Sequence, residues 1–288
     1  MTGTPDTAQC ALRHVSCQLV FEVRPDAVLA LQVAPAKTAG ELVTEQIEVM
    51  LDGRPLSEPV VERAAGGTGR IHLVRSGAGT LAVSYAATIR APLPRPPATS
   101  PAAGDETGYD TESIVALRQS RYCPSDAMIG FAATELAHLE HGPGLAGEVA
   151  SWVFERLARA DSSDPLDTAV DTLLSGAGVC RDFAHLTIAL CRALGVPARF
   201  VSAYAPGLSP MEFHAVVEAR RDGVWDVLDP TRLAPRLSLV RIGTGRDAAD
   251  TAFVTTLRGE AELLSSEVVA VVDGDLPADD HLTPISLP

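Results

Sequence analysis

The chain has 288 residues, 46% of them hydrophobic, and a net charge of −14. That much apolar material supplies the core of one large domain or two ordinary ones and excludes global disorder. The acidity repels phosphates, which argues against general nucleic-acid binding and fits a solvated surface.

Met1–Cys10 is polar and lacks the basic-then-apolar order of a secretion signal. No apolar run approaches the roughly 20 residues that span a bilayer. The five cysteines, Cys10, Cys17, Cys123, Cys180 and Cys191, are odd in number and scattered. They do not form a disulfide framework, so the expectation is a reducing, cytoplasmic setting with no membrane partner.

The first half reads as strands. Ala11–Val23 alternates in part, Val28–Val33 is short and apolar, and Glu45–Leu51 runs into the turn pair Asp52-Gly53. Arg70–Val74 and Thr80–Ile89 follow. Short strands at close spacing predict a small antiparallel β-sandwich over residues 1–92. His14 and His72 stand alone and read as surface or core fillers. Residues 93–111, rich in proline, glycine and small side chains, read as a linker.

Helices open the second half. Asp126–Glu140 and Ala146–Arg159 carry apolar residues at helical spacing, including Val149, Val153 and Leu157. Asp167–Leu174 stops at Ser175-Gly176. A buried helix, Cys180–Leu194, ends at Gly195 with Pro197 beyond. Strands follow at Ala198–Tyr204, Glu212–Arg220, Val224–Leu228, Phe253–Leu257 and Glu267–Val272. Helices first and strands after predict an α+β domain over 112–273, with a loose tail at 274–288.

Chemistry concentrates at three residues. In Gly176-Ala177-Gly178-Val179-Cys180, two glycines permit a tight approach and the cysteine opens a helix. A helix start lowers a thiol's pKa, and its free N–H groups can receive an oxyanion. His214 lies in the strand Phe213–Glu218. If Asp222-Gly223 turns a two-residue hairpin, Arg221 faces Val224, and His214 and Asp229 become diagonal neighbours on one face, roughly 7–8 Å apart at the backbone. Cys180, His214 and Asp229 then fit nucleophile, proton-transfer base and orienting acid.

The blocks Gly178-Val179-Cys180-Arg181-Asp182-Phe183-Ala184-His185-Leu186, Leu194-Gly195-Val196-Pro197-Ala198-Arg199, Phe213-His214-Ala215 and Leu228-Asp229-Pro230-Thr231 resemble the bacterial transglutaminase-like family. Arg121–Asp126 and the strand-rich first half also resemble its members. The resemblance implies a papain-related core with a Cys-His-Asp triad on Cys180, His214 and Asp229. The family includes transglutaminases, thiol proteases and amidases. Many members place a tryptophan two residues after the histidine, where this chain has Val216.

The expected activity is acyl transfer from an amide or peptide through a Cys180 thioester, with a peptide, protein or small amide as substrate. Water as acceptor gives a hydrolase and an amine gives a transamidase. A non-catalytic binding or scaffold protein on the same fold is the rival. This chemistry calls for no cofactor and no metal. His138 and His141 sit at a helix end and read as solvated, Cys180, His185 and Cys191 lack zinc spacing, and Gly243–Arg246 lacks the context of a nucleotide loop. Asp182 suits a helix first turn, His185 reads as a packed residue, and Cys191 reads as core.

Overall fold

The computed structural model describes residues 10–65, 69–92, 109–221 and 223–288. The chain runs through strands β1 (Cys10–Val23), β2 (Ala27–Leu31), β3 (Glu41–Leu51), β4 (Arg54–Pro55), β5 (Val61–Ala64), β6 (Arg70–Ser76) and β7 (Gly79–Pro92). Helices α1 (Thr111–Leu117), α2 (Ile129–Glu135) and α3 (Leu145–Arg156) follow, then β8 (Ala158–Arg159), α4 (Ala169–Ser175), β9 (Ala177–Gly178) and α5 (Cys180–Ala193). The order closes with β10 (Ala198–Tyr204), β11 (Phe213–Arg221), β12 (Val224–Leu228), β13 (Val240–Gly245), β14 (Val254–Arg258) and β15 (Ala261–Val272). This is an α+β fold. Among the described residues no helix is long and apolar enough to cross a membrane.

Strand periodicity in the first half becomes a sandwich. Along β1, Val15, Cys17, Leu19, Phe21 and Val23 are buried in alternation. Along β7, Leu81, Val83, Tyr85, Ala87, Ile89 and Ala91 do the same. These inward residues meet Leu29, Leu31 and Val74 in one core cluster. Each large apolar side chain so enclosed contributes about 1.5–3 kcal/mol. One sheet has the order β15-β1-β7-β3-β4 and the other β14-β2-β6-β5.

That topology corrects the expected division of the chain. The strands read at Phe253–Leu257 and Glu267–Val272 do form, but they complete the sandwich rather than the second sheet. β15 pairs antiparallel with β1 from Arg13 to Val23, and β14 pairs with β2. The reason is edge satisfaction: without β15, one side of the 14-residue β1 would lie unpaired. Tyr204, Val240 and Ile242 from the second half also enter the sandwich core, and the Tyr204 hydroxyl donates to the Val33 carbonyl.

The segment after 273 is packed rather than loose. Asp279 accepts from the buried Arg236 guanidinium, Ile285 and Leu287 are buried, and the Ile285 carbonyl accepts from Val227 N–H. Of the expected linker, residues 93–108 lie outside the described residues. Asp110 already caps α1, its side chain accepting from Ser113 N–H.

In the second half α5 is the central element, with 11 of its 14 residues buried. It lies beside the sheet β12-β11-β10-β13, packing on β11 and β10, and shares a core with Val149, Val153, Phe200, Ala215 and Val217. α5 ends as the sequence predicts. Gly195 takes φ +78°, Gly195 N–H donates to Arg192, and Val196 N–H donates to Cys191. The long helix expected over Asp126–Glu140 is instead a 3₁₀ turn at 125–128 followed by the short α2. The helix expected to reach Arg159 stops at Arg156, because Ala158–Arg159 pairs in parallel with Ala177–Gly178.

A fragment covering residues 1–92 is expected to lack a cooperative thermal transition by circular dichroism, since it lacks both β14 and β15. A sharp transition in that fragment would refute the shared topology.

Candidate active site

The approach to Cys180 is fixed by its neighbours. Gly176 ends α4 in the left-handed region at φ +67°, where a side chain is strained. Gly178 has no room for a side chain, since a Cβ there would lie 2.7 Å from the Cβ of Asp182. The Asp182 carboxylate is buried and accepts from Val179 N–H at 2.9 Å, which satisfies one of the free donors at the α5 start. Its other oxygen accepts from the Arg181 guanidinium, which also donates to the Asp164 carbonyl and Ser163 Oγ. Cys180 is thereby held as the first residue of α5, partly exposed, while Cys17, Cys123 and Cys191 are buried.

The hairpin between β11 and β12 has the register read from the sequence. Arg221 opposes Val224, Arg220 opposes Trp225, and the ladder reaches Val217–Leu228. Asp229 follows directly, and His214 Nε2 donates to Asp229 Oδ2 at 3.0 Å with both side chains enclosed. The second carboxylate oxygen accepts from Thr231 N–H at 2.9 Å and from Thr231 Oγ1 at 2.6 Å. Burial alone would lower the basicity of His214, but the Asp229 charge and hydrogen bond outweigh it and raise the imidazole pKa to about 10. Burial likewise pushes the Asp229 carboxyl up, yet His214 and Thr231 hold it down at about 2.

His214 Nδ1 is buried and has no hydrogen-bond partner of good geometry. The Cys180 thiol is near enough to add to the rise in imidazole basicity. Cys180 and His214 line one cavity of about 370 Å³. The structure therefore brings together all three residues singled out in the sequence.

Several residues around this cavity carry no sequence signal. Phe200, Phe213, Ile242, Phe253 and Val254 make it largely apolar, and Gln32, Ser202 and Thr251 add polar groups. The one visible hint is that Gln32 breaks the apolar run Val28–Val33 with a polar side chain. Tyr122 lines the same cavity and stacks on His185, with ring centroids 5.1 Å apart. His185 is a packed residue whose Nε2 accepts from Ala248 N–H, and burial lowers its pKa to about 4. Val216, at the position where many relatives have tryptophan, is buried in a separate apolar cluster with Val201 and Val227. His138 and His141 are exposed in the turns after α2. Among the described residues no cluster of His, Cys, Asp and Glu is arranged to hold a metal ion.

The His214–Asp229 pair ties stability to pH in a definite sense. The imidazole pKa is raised from 6.5 to about 10, so its contribution is full below pH 6.5 and is lost as pH rises through about 10. The carboxyl pKa is lowered from 3.8 to about 2, so its contribution holds above pH 3.8 and is lost as pH falls through about 2. Urea unfolding of the wild type and of Asp229→Asn is expected to differ most between these two unperturbed values, with the gap shrinking towards alkaline pH. A gap independent of pH would show that the pair is not charged.

Residues 135–230 match the sequence profile of the Transglutaminase-like superfamily. The fold superposes on the crystal structure of a candidate cysteine protease from Cytophaga hutchinsonii with a TM-score of 0.85. The two are 28% identical, over 97% of this chain and 98% of that one. An uncharacterised protein of Mycobacterium leprae is 29% identical over 150 residues, 47% of this chain and 52% of the relative. One from Mycobacterium tuberculosis H37Rv is 35% identical over 129 residues, 39% of this chain and 40% of the relative. The chain thus matches about half or less of the length of these curated relatives. Residues 135–230 thus carry a transglutaminase-like segment, and the chain shares its fold along nearly its whole length with the Cytophaga protein.

Proposed function

We infer that the protein is a thiol-dependent amide hydrolase with Cys180 as nucleophile, His214 as proton carrier and Asp229 as the group that orients the imidazole. The observation that carries this reading is the shared cavity: it is lined by a thiol at a helix start and by an imidazole whose Nε2 is bonded to a buried carboxylate and whose Nδ1 has no other hydrogen-bond partner. A raised imidazole pKa favours the charged ring, and a charged ring beside a thiol favours the thiolate.

The thiolate attacks the amide carbonyl carbon, forming a C–S bond and moving the C=O π pair onto oxygen. That oxyanion lies near the N–H groups at the α5 start, which carry partial positive charge. When the pair returns, the C–N bond breaks and the departing nitrogen takes a proton from His214. Water, with His214 now as base, then adds to the thioester, and the C–S bond breaks to regenerate the thiol. An amine in place of water gives transamidation through the same groups. Asp229 keeps Nε2 protonated and Nδ1 directed to the sulfur throughout.

Two measurements test this. Short exposure to iodoacetamide with peptide mapping is expected to label Cys180 ahead of Cys17, Cys123 and Cys191, whose burial pushes their thiols up to about 11, 12 and 12. Earlier labelling at any of those three would sink the assignment. In turnover of a fluorogenic peptide amide, Cys180→Ala and His214→Ala are expected to abolish the covalent step. Asp229→Asn should lower turnover by two or more orders of magnitude, within the ~10²–10⁴-fold range of positioned acid–base groups. Losses in double variants should not add, because the residues serve one step. Near-normal turnover by folded His214→Ala would favour a binding protein instead. A parallel assay with added primary amine separates the two acceptors.

A further inference from the structure

The cavity beside Cys180 contains an unexplained polar group from the other half of the molecule. Gln32 follows β2 and is only 4% exposed, yet it lines the cavity with Cys180 and His214. Its backbone is fixed, since Gln32 N–H donates to the Phe253 carbonyl at 3.0 Å. The side-chain Nε2 carries two N–H donors and is buried without a hydrogen-bond partner. Leaving such an amide unsatisfied costs about 1–3 kcal/mol.

The site around Gln32 is built to admit it. Gly69, just before β6, and Gly243, on β13, flank the amide, and a Cβ at either would collide with Nε2. Two glycines from separate segments therefore leave a slot for this one side chain. On the other side of Gly243 its strand partner is Ser202, whose Oγ also lines the cavity, buried and unpartnered. A packing role would be met more cheaply by leucine or methionine, which bring no donors to satisfy.

We propose that Gln32 donates a hydrogen bond to the substrate carbonyl oxygen as it becomes the oxyanion, so that the sandwich supplies a catalytic residue to the Cys180 site. This rests on the acyl-transfer reading above. Attack by the thiolate places a full negative charge on that oxygen, and the free donors at the α5 start provide one side of its cradle. Gln32 provides the other once its amide turns its NH₂ towards the cavity. A half-turn of the amide about its last bond exchanges the NH₂ and C=O positions, so the donor can turn from the glycine slot into the cavity. The carbonyl oxygen would then rest against the two glycines. A donor of this kind strengthens as charge develops and accelerates the chemical step more than it tightens binding.

The test compares two electrophiles on wild type, Gln32→Ala and Gln32→Met, with circular dichroism to establish folding. p-Nitrophenyl acetate acylates Cys180 through an oxyanion, whereas iodoacetamide alkylates it by displacement at carbon and forms none. Both variants are expected to lose acylation at least tenfold, towards the ~10²–10³-fold cost of removing one oxyanion donor, while alkylation stays within about twofold of wild type. Gln32→Met keeps most of the side-chain length, removes the donor and adds no charge, so its loss separates hydrogen bonding from packing. Acylation within twofold of wild type in the folded variants overturns the proposal. An equal fall in both reactions also overturns it, because Gln32 would then act on the thiol. If wild-type Cys180 is alkylated but never acylated, the acyl-transfer reading itself fails, and this proposal with it.

Discussion

The hydrogen bond between His214 and Asp229 is the constraint around which the second half is arranged. Both side chains are fully enclosed, and an enclosed charge costs several kcal/mol unless its hydrogen-bonding positions are met. Asp229 meets the demand with one bond from the imidazole and two from Thr231. Those bonds require the register of β11 and β12, since a one-residue slip would carry His214 to the opposite face. They also leave the imidazole with one nitrogen to spare. The start of α5 places a thiol in the cavity that the imidazole also lines, held there by the buried Asp182 and by a glycine with no room for a side chain.

Much of this arrangement is legible in the amino-acid order, for identifiable reasons. Alternation along Ala11–Val23 and Thr80–Ile89 marks strands because one face is fully buried. The Asp222-Gly223 signal predicts a hairpin in which Arg221 faces Val224, the pairing that the ladder shows, so the proximity of His214 and Asp229 follows from counting; Asp222 itself lies outside the described residues. Cys180 stands out because glycine precedes it and an apolar helix follows. The destination of β14 and β15 is not legible, because periodicity reveals a strand and not its partner. β13 is hidden by Gly243 and Gly245, which weaken strand propensity yet make the space that Gln32 and Asp250 occupy. The packed segment after 273 is equally hidden. Its anchors, Asp279 with Arg236 and Ile285 with Val227, are long-range contacts between residues that look polar or isolated in sequence.

The cavity joins parts with different demands. Its apolar walls strengthen charge interactions beside them, while its few buried polar groups must then be satisfied or used. Behind it, in the same block as Cys180, Asp182 accepts from Val179 N–H and His185 Nε2 accepts from Ala248 N–H, and these bonds hold the frame. Arg192 does similar work further along α5. Its buried guanidinium donates to the carbonyls of Ala116, Ala198 and Arg246, fastening α1, β10 and the end of β13 to one helix. Rigidity in the site is thus derived from backbone carbonyls as much as from the apolar core.

The return of β15 to β1 has a consequence for how the molecule is made. The ribosome delivers β1 and β7 early, but the strand that covers the other side of β1 emerges only after all of α1–α5 and β8–β14. At about 5–20 residues per second, the wait is on the order of ten seconds or more. Throughout that interval the nascent chain carries a long open edge, and the helices and strands that surround Cys180 are synthesised while it remains open. Closure of the sandwich therefore waits for synthesis of the elements around the thiol, and the same late stretch of chain brings the Phe253 carbonyl to Gln32.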